Sequence, residues 1–240
     1  MRKLLAPIAA LCLAATPTLA DSLESVLDKH FEAQGGLARL RAVKSVTYTG
    51  TNTYDGKTSK TTALRARPNL LKNEYVSAEG VKVKAFDGTK GWMAKDGKAE
   101  LIATPLLAAL EEHAEFDDAL VDHAKRGIKV KLAGKEGNAY VLEVTLRSGD
   151  VQKRFIDGKS FLETKRVLTF VDDGKTITKT VQFSDFKKTA GIVTAHVRET
   201  AANGKTGKFV VDQIRWDAKI EMAAFKAPSY AGVASATTAK

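Results

Sequence analysis

The chain has almost no cysteine, and its single cysteine lies in a segment that is predicted to be removed. Only Cys12, among 240 residues, carries a thiol. The chain after position 20 therefore has no disulfide, no thiolate nucleophile and no cysteine ligand for a metal. We expect it to fold on its hydrophobic core alone, which a chain of this length can do as one domain.

Catalytic and cofactor-binding motifs are also missing. The sequence contains no G-x-S-x-G, H-E-x-x-H or C-x-x-C pattern. Its several Gly-Lys-Ser and Gly-Lys-Thr triplets include those at Gly158 and Gly204. A phosphate loop would need another glycine five residues earlier, where Lys153 and Glu199 stand. We predict that the protein is not an enzyme and has no cofactor, although a cleft could still raise the pKa of a carboxylate for acid–base chemistry.

The four histidines do not form a pattern that is typical of a metal site. His113 and Asp117 stand four residues apart on a predicted helix, and His123 could join them at one metal only if that helix bent. Most neighbouring residues are acidic and are typical of a solvated helix face. We therefore predict no bound metal.

Residues 1–20 have the pattern of a signal peptide. Arg2 and Lys3 form a basic start, an apolar stretch runs from Leu4 to Ala15, and the segment ends in the small-residue pattern Thr18-Leu19-Ala20. The apolar stretch is short for a membrane span. Lipid attachment at Cys12 is the alternative, but a small residue is expected just before such a cysteine and Leu11 stands there. We predict cleavage before Asp21 and export from the cytoplasm.

The remaining chain is basic. Removing Arg2 and Lys3 from 38 basic residues leaves 36 against 28 acidic ones, a net charge of +8. The lysines are scattered and form no stripe interleaved with aromatic residues, so we predict no nucleic-acid partner. Two interpretations stay open: the charge serves solubility, or it attracts anionic lipid headgroups or an acidic partner.

Most of the chain alternates apolar and polar residues with a period of two, which predicts half-buried strands. Asp-Gly and Asn-Gly dipeptides between the segments predict tight hairpin turns and hence antiparallel neighbours. So many strands cannot lie flat and should curl toward a barrel or a deeply bent sheet. The predicted strands are Val46–Tyr54, Lys60–Arg67, Leu70–Ser77, Val81–Phe86, Gly91–Lys95, Lys98–Ala103, Ile128–Ala133, Ala139–Arg147, Val151–Ile156, Phe161–Val171, Thr176–Phe186, Ile192–Thr200 and Lys208–Asp217.

Two segments have helical spacing instead. The first, Asp21–Val43, is predicted to break at Gly35-Gly36. The second runs from Thr104, a plausible N-cap, through Pro105 to Gly127, a plausible C-terminal cap. Its apolar stripe predicts a helix that packs over the sheet as a lid.

More strands are predicted than a self-filled barrel of about eight strands contains, and this count favours an apolar hollow. Any one apolar strand residue is by default an ordinary core residue, and Trp92 in particular could be one. Such a hollow favours carrying over catalysis. A protein that carries a cargo has to release it, so we expect walls without charged anchors. The candidate ligand-binding residues of the wall and lid are Val46, Tyr48, Leu64, Tyr75, Trp92, Leu107, Leu110, Phe116, Tyr140, Leu142, Phe155 and Phe170.

Several short motifs follow one another along the chain. They are Gln34-Gly35-Gly36-Leu37, Val43-Lys44-Ser45-Val46, Arg67-Pro68, Phe86-Asp87-Gly88 with Gly91-Trp92, Phe183-Ser184-Asp185-Phe186 with Gly191, and Ala224-Phe225-Lys226-Ala227-Pro228. In this order they resemble the LolA-like outer-membrane lipoprotein-sorting superfamily, and the chain resembles a broader relative of the lipoprotein carrier. The resemblance extends from about Leu23 to Pro228, and one departure is Ala195, where members usually have proline.

The resemblance implies a mainly β protein in the periplasm, a half-open antiparallel barrel of about eleven strands with helices over its concave side. It implies one lipid-binding domain over residues 21–228, and the small and polar residues after Pro228 predict a flexible tail over 229–240. The implied function is to carry a lipid or lipoprotein cargo as a monomer, from an inner-membrane donor to an outer-membrane acceptor. A free lipid, a sterol-like molecule or a glycolipid would suit the same walls. The alternative is a non-transporting envelope sensor or regulatory interaction protein on this scaffold; a hydrolase lacks a candidate nucleophile–base pair.

Overall fold

The computed structural model describes residues 21–104, 106–172 and 174–228. The predicted signal peptide, Pro105 and the predicted tail lie outside these residues. Thirteen strands form one antiparallel sheet, two more than the resemblance implied, and each predicted segment overlaps one strand. The strands are β1 Ser45–Tyr54, β2 Lys57–Ala66, β3 Leu70–Ser77, β4 Gly80–Phe86, β5 Gly91–Lys95, β6 Lys98–Leu101, β7 Lys129–Glu136, β8 Ala139–Thr145, β9 Val151–Asp157, β10 Glu163–Asp172, β11 Lys175–Thr189, β12 Ile192–Ala202 and β13 Lys205–Trp216.

The order of the strands explains why the sheet stays half open. Neighbours in the chain are neighbours in the sheet, and the first strand β1 also pairs with the last strand β13. The two edges are β6 and β7, which are consecutive in the chain but do not pair. The connection between them, residues 102–128, therefore spans the open side. A mainly β, half-open antiparallel sheet with few helices is confirmed.

The predicted hairpin turns form where Asp-Gly and Asn-Gly dipeptides stand. Three of these dipeptides, Asp55-Gly56, Asp96-Gly97 and Asn203-Gly204, have positive φ at both positions. The φ values are 49–50° for the first residue and 72–80° for the glycine. This conformation matches the twist of the flanking strands, and glycine adopts it without steric cost. Local turn chemistry therefore set the register of these hairpins.

The first helical segment breaks at the predicted glycine pair. Helix α1 covers Leu23–Ala33, and its first turn is capped by the Ser22 hydroxyl, which accepts from the Ser25 amide at 3.2 Å. Helix α2 covers Leu37–Ala42. Between them Gly35 has φ +114°, and a Cβ there would lie 2.1 Å from the carbonyl oxygen of Gly191. Only glycine permits this close approach.

The second helical segment is much shorter than predicted. Helix α3 covers Leu106–Ala114, and residues 115–128, which we call the strap, continue across the open side in turns. The helix ends because the strap exchanges its own hydrogen bonds for contacts with the barrel. The Phe116 amide donates to the Pro68 carbonyl at 3.1 Å, and the Glu115 carbonyl accepts from Arg65 at 2.6 Å. The prediction of a helix to Gly127 was wrong.

The helices cover the inner, concave face of the sheet, as predicted. Helix α1 and the strap pack on β7–β9 through a cluster that includes Phe31, Leu120 and Leu142. Helix α3 packs on β3–β5 through Leu110, Leu71 and Phe86. A third, smaller cluster joins β1 to β13. None of the helices within the described ranges is both long and apolar enough to cross a bilayer.

We expect the cluster under α1 to dominate stability. Leu142 is fully buried there, so Leu142→Ala should lower the free energy of unfolding by about 2–5 kcal/mol. Val171 is 70% exposed, and Val171→Ala should change it by no more than about 0.5 kcal/mol. Urea denaturation of the two variants checks this, and similar midpoints would show that α1 packs loosely on the sheet.

Candidate functional site

A cavity remains between the strap and the inner face of the sheet. This central cavity has a volume of about 370 Å³. Two further cavities of about 240 Å³ each share Asp118 with it, so the hollow continues along the inner face toward β12. The residues that line the central cavity are Val46, Tyr48, Arg65, Glu112, His113, Glu115, Phe116, Asp117, Asp118, Ala119, Arg126, Ile128, Leu146, Arg154, Arg166, Arg198 and Trp216.

One arginine of the β2–β3 corner holds the middle of the strap. The Arg67 guanidinium donates to both carboxylate oxygens of Asp117, with a distance of 2.6 Å to Oδ1, and lies 4.8 Å from the centre of the Phe116 ring. It also donates to the carbonyl oxygen of Val43 at 2.5 Å and to that of Leu40 at 3.2 Å. Arg67 therefore ties the strap and helix α2 to the sheet at one point.

The opposite half of the barrel holds the next strap residue. Arg154 on β9 is 1% exposed and donates to both oxygens of Asp118, at 2.7 and 2.9 Å. Its remaining N–H groups donate to Gln152 at 3.0 and 2.9 Å. Arg166 on β10 lies 3.6 Å from Asp118 and forms a bidentate pair with Glu163 at 2.7 and 2.6 Å. The strap is thus bound to both halves of the half-open sheet.

The first residue of the strap has two arginine partners of its own. The Glu115 carboxylate accepts from Arg126, within the strap, and from Arg147, in the β8–β9 turn. The segment Glu115–Asp118 therefore meets an arginine at every residue. We call these contacts the arginine clamp.

The arginines of the clamp change the pKa of two carboxyl groups, those of Asp118 and Glu163. Burial alone would raise the pKa of Asp118, but Arg154 and Arg166 outweigh it and hold that pKa below its ordinary value. Glu163 is affected in the same way. Burial raises its pKa, but Arg166 and Arg154 together have the larger effect, so the pKa of Glu163 is also below its ordinary value. Asp118 is 41% exposed, and this surface faces the cavity that its side chain lines.

Three of the predicted ligand-binding residues line the central cavity. Val46 and Tyr48 come from β1, and Phe116 comes from the strap. They belong to the apolar cluster between β1 and β13, in which Trp216 lies edge-on to Tyr48 with ring centres 6.2 Å apart. The structure therefore brings these three residues together on one apolar part of the wall.

Four other predicted residues pack under the helices. Leu107 and Leu110 of α3 belong to the cluster on β3–β5. Tyr140 and Leu142 belong to the cluster under α1, where the Tyr140 hydroxyl is hydrogen-bonded to the Asp21 carboxylate. None of the four lines the central cavity.

Tyr75 and Phe170 lie nearer the end of the barrel that the helices leave uncovered. Tyr75 pairs with Lys82 on β4 and lines a wide concavity of about 770 Å³ with several lysines. Phe170 pairs with Ile177 in the β10–β11 hairpin and is partly buried. These two side chains are on the inner face by register but outside the central cavity.

The register places Leu64, Trp92 and Phe155 on the outer face of the sheet. Directly paired residues share a face, and Leu64, Trp92 and Phe155 pair with Thr47, Ala85 and Val141. Each of these partners adjoins an inward residue of its own strand (Val46, Phe86 and Leu142) and therefore points outward. Trp92 is 3% exposed because the C-terminal 3-10 turn, Met222–Phe225, covers it, and its Nε1 donates to the Phe225 carbonyl at 2.8 Å. Trp92 therefore lies in a packed position, which is the alternative that the sequence analysis left open.

The charged residues in the wall of the central cavity were not predicted from the sequence. We expected a hollow without charged anchors, but five arginines and four carboxylates line the central cavity. The pattern did hold a signal, because Arg154 and Arg198 stand two residues from buried Ile156 and His196 and so share their face. Such positions are usually apolar, and their charge is tolerated here because the clamp neutralises most of it.

The candidate metal residues do not meet at one point. Asp117 is bound to Arg67, and His123 Nδ1 lies 3.2 Å from the Ile128 carbonyl oxygen. Across residues 21–104, 106–172 and 174–228, no group of three or more His, Cys, Asp or Glu side chains is placed to hold a metal ion.

The clamp predicts a pH dependence of stability. A carboxylate whose pKa is lowered on folding binds fewer protons in the native state, so its stabilisation is complete above its ordinary pKa and is lost as the pH falls through the lowered value. Asp118→Asn should lower the free energy of unfolding by about 1.5–3 kcal/mol at pH 7. This difference should shrink below the ordinary value of 3.8.

Denaturant titrations from pH 7 to pH 2.5 measure this difference. Glu111→Gln is the control, since Glu111 is an exposed acidic residue of α3 and should change stability little. A loss in Asp118→Asn that stays constant down to pH 2.5 would contradict the assignment of this carboxylate to the clamp.

Comparison with known proteins supports the fold. No family model and no curated protein matches the sequence. Among solved structures, a LolA superfamily protein from Nitrosomonas europaea is 14% identical with a TM-score of 0.60, over 87% of this chain and 99% of that one. A DUF1329 family protein from Desulfovibrio piger is 14% identical with a TM-score of 0.60, over 86% and 98%. A putative outer membrane lipoprotein-sorting protein domain from Vibrio parahaemolyticus is 11% identical with a TM-score of 0.54, over 83% and 94%. The chain therefore has the fold of LolA-superfamily proteins.

Proposed function

We propose that the protein is a periplasmic carrier that binds the acyl chains of a lipid or of a lipidated protein beneath its strap. It takes this cargo from an inner-membrane donor and delivers it toward an outer-membrane acceptor, and it works as a monomer. The predicted signal peptide and the LolA-superfamily fold support the location and the kind of cargo.

The observation that carries this proposal is the hollow under a separable cover. The central cavity of about 370 Å³ is at the small end of ligand pockets, which span about 300–1,000 Å³. If the strap moves away from the sheet, the central cavity merges with the two neighbouring cavities, and a larger cargo can enter. The strap has few backbone bonds to the sheet. Side-chain contacts at Glu115–Asp118 hold its first part, and Leu120, Val121 and Ile128 pack in the cluster under α1.

The energies of loading and opening are comparable. Burying an acyl chain gains about 0.8 kcal/mol per methylene, or on the order of 10 kcal/mol for a long chain. Each hydrogen bond of the clamp to a charged group contributes about 1.5–3 kcal/mol, and exposed ion pairs contribute about 0–1 kcal/mol. An acyl chain can therefore displace the strap, and the clamp can favour release when an acceptor offers the chain another apolar site.

A substitution that fills the cavity tests the proposal. Ala119 lines the central cavity and is partly buried, so Ala119→Phe should place a ring in the hollow and lower the bound lipid at least several-fold. Thr169 on β10 is exposed, and Thr169→Phe should leave the bound lipid unchanged. Native mass spectrometry of mature protein released gently from the cell envelope measures the bound fraction, and circular dichroism checks the fold.

Two outcomes would overturn the carrier. Wild-type protein that is always empty, even after incubation with lipid vesicles, would favour the regulatory interaction protein that the sequence left open. Equal lipid content in folded Ala119→Phe and wild-type protein would place the lipid outside the central cavity.

A further inference from the structure

Two arginines of the central cavity have no carboxylate partner among the described residues. Arg65 on β2 donates only through Nη2, to the carbonyl oxygens of His113 at 2.8 Å and Glu115 at 2.6 Å. Arg198 on β12 lies over the rings of Tyr48 and Phe209, 5.6 and 5.9 Å from their centres. Both line the central cavity. Their charge is balanced by no carboxylate at salt-bridge distance in the described part of the chain.

The nearby carboxylates are already used. Asp117 pairs with Arg67, Asp118 with Arg154 and Arg166, and Glu115 with Arg126 and Arg147. The fourth carboxylate of the wall, Glu112, has its Oε1 3.4 Å from the amide of Ser148, which lies in the β8–β9 turn. The cavity wall therefore has an excess of positive charge at Arg65 and Arg198.

The electrostatics around His113 show the same excess. Desolvation in the cavity wall, and after it the positive charges of Arg65, Lys84, Lys179 and Arg166, together lower the pKa of His113 to about 4. Burial also lowers the pKa of Arg65, and Arg198 adds to the decrease while Tyr48 and Asp118 oppose it. A cluster of like charges in a low-dielectric hollow is unfavourable unless an anion joins it.

Uncharged donors without acceptors lie in the same region. The indole Nε1 of Trp216 and the hydroxyl of Thr194 are both buried without a hydrogen-bond partner in the structure. Trp216 lines the central cavity and one neighbouring cavity, and Thr194 lines both neighbouring cavities. Buried donors are normally satisfied. An oxygen-rich ligand that displaced the strap would supply the missing acceptors.

Apolar surface lies beside these donors. Val46, Tyr48, Phe116 and Trp216 form one continuous apolar part of the wall. The site thus combines an apolar wall for a hydrocarbon chain with two guanidinium groups for an oxyanion. Arginine is well suited to this role because its planar donors bind phosphate and carboxylate oxygens in pairs.

We propose that the central cavity selects a lipid with an anionic oxyacid headgroup, a phosphate or a carboxylate, which binds between Arg65 and Arg198 while its acyl chain lies against the wall of Val46, Phe116 and Trp216. This proposal rests on the carrier function and adds the chemical class of the cargo. The charged wall then discriminates between lipids, and the apolar wall provides most of the affinity.

Vesicle competition tests the selectivity. Delipidated mature protein is incubated with vesicles of phosphatidylglycerol, phosphatidylcholine or an equal mixture, separated from them, and its bound lipid is quantified by mass spectrometry. We expect wild-type protein to take the anionic lipid about tenfold in preference, as a charge-assisted pair of hydrogen bonds would give. Arg198→Gln should remove most of this preference by lowering the uptake of phosphatidylglycerol.

The matched control is Arg215→Gln. Arg215 is exposed and lies on β13 between the inward residues Ile214 and Trp216, so its loss removes the same charge from the outer face. The preference should be unchanged in this variant. A preference that falls equally in both variants would show that general basic charge selects the lipid, and would overturn the site at Arg65 and Arg198.

An NMR titration of the His113 ring gives a second readout. A bound oxyanion next to Arg65 should raise the pKa of His113 from about 4, and it should do so in wild-type protein but much less in Arg198→Gln. The same titration with inorganic phosphate alone separates the lipid from a free anion. If phosphate alone shifts the pKa as far as the lipid at equal concentration, the lipid part of the proposal is wrong.

The two proposals fail in different ways. Wild-type protein that binds neither lipid would refute the carrier. Wild-type protein that binds both lipids equally, with no difference in Arg198→Gln, would leave the carrier standing and refute only the anionic headgroup.

Discussion

The arginine clamp on Glu115–Asp118 is the interaction on which the closed form of this structure depends. The meander ends at two unpaired edges, β6 and β7, and only the connection between them spans the open side. Arg67 holds this connection to the β2–β3 corner, and Arg154 with Arg166 holds it to β9–β10. Without these contacts, the strap would depend on the packing of Leu120, Val121 and Ile128 in the cluster under α1.

The clamp also explains how a charged interior is compatible with the proposed carrier function. Removing charges from water is costly, so a buried arginine such as Arg154 needs both its carboxylate and its amide partners. In the open state these groups can return to water, which lowers the cost of separating them. An interior of this kind can be stable when it is closed and can nevertheless open, because its charged groups are hydrated on opening. A fully apolar interface would expose apolar surface to water, which costs more. Arg65 and Arg198 are the exception, because their contacts in the described residues are with carbonyl oxygens and aromatic rings and not with carboxylates.

The sequence predicted the strands well because their signals are local. Period-two alternation and Asp-Gly turns depend on neighbouring residues, so all thirteen segments could be placed, and Gly35-Gly36 marked the helix break. The candidate wall was predicted less well. Val46 and Tyr48 face the central cavity, but Trp92 and Phe155 face outward. Alternation shows that two faces differ, and it does not show which face is concave when both are partly covered: the 3-10 turn covers Trp92, and the Lys165 ammonium lies 3.6 Å from the centre of the Phe155 ring.

By itself, the sequence determined the antiparallel meander, the positions of its turns and the presence of helical covers, because propensity and hydrophobic period act over a few residues. The tertiary structure alone decided where the barrel stays open, where α3 ends and which charges meet. Arg67 and Asp117 are 50 residues apart in the chain, and Asp118 and Arg154 are 36 apart. Such pairs form only when the sheet curves and brings β2 and β9 to opposite sides of the strap, so no local pattern could have predicted them.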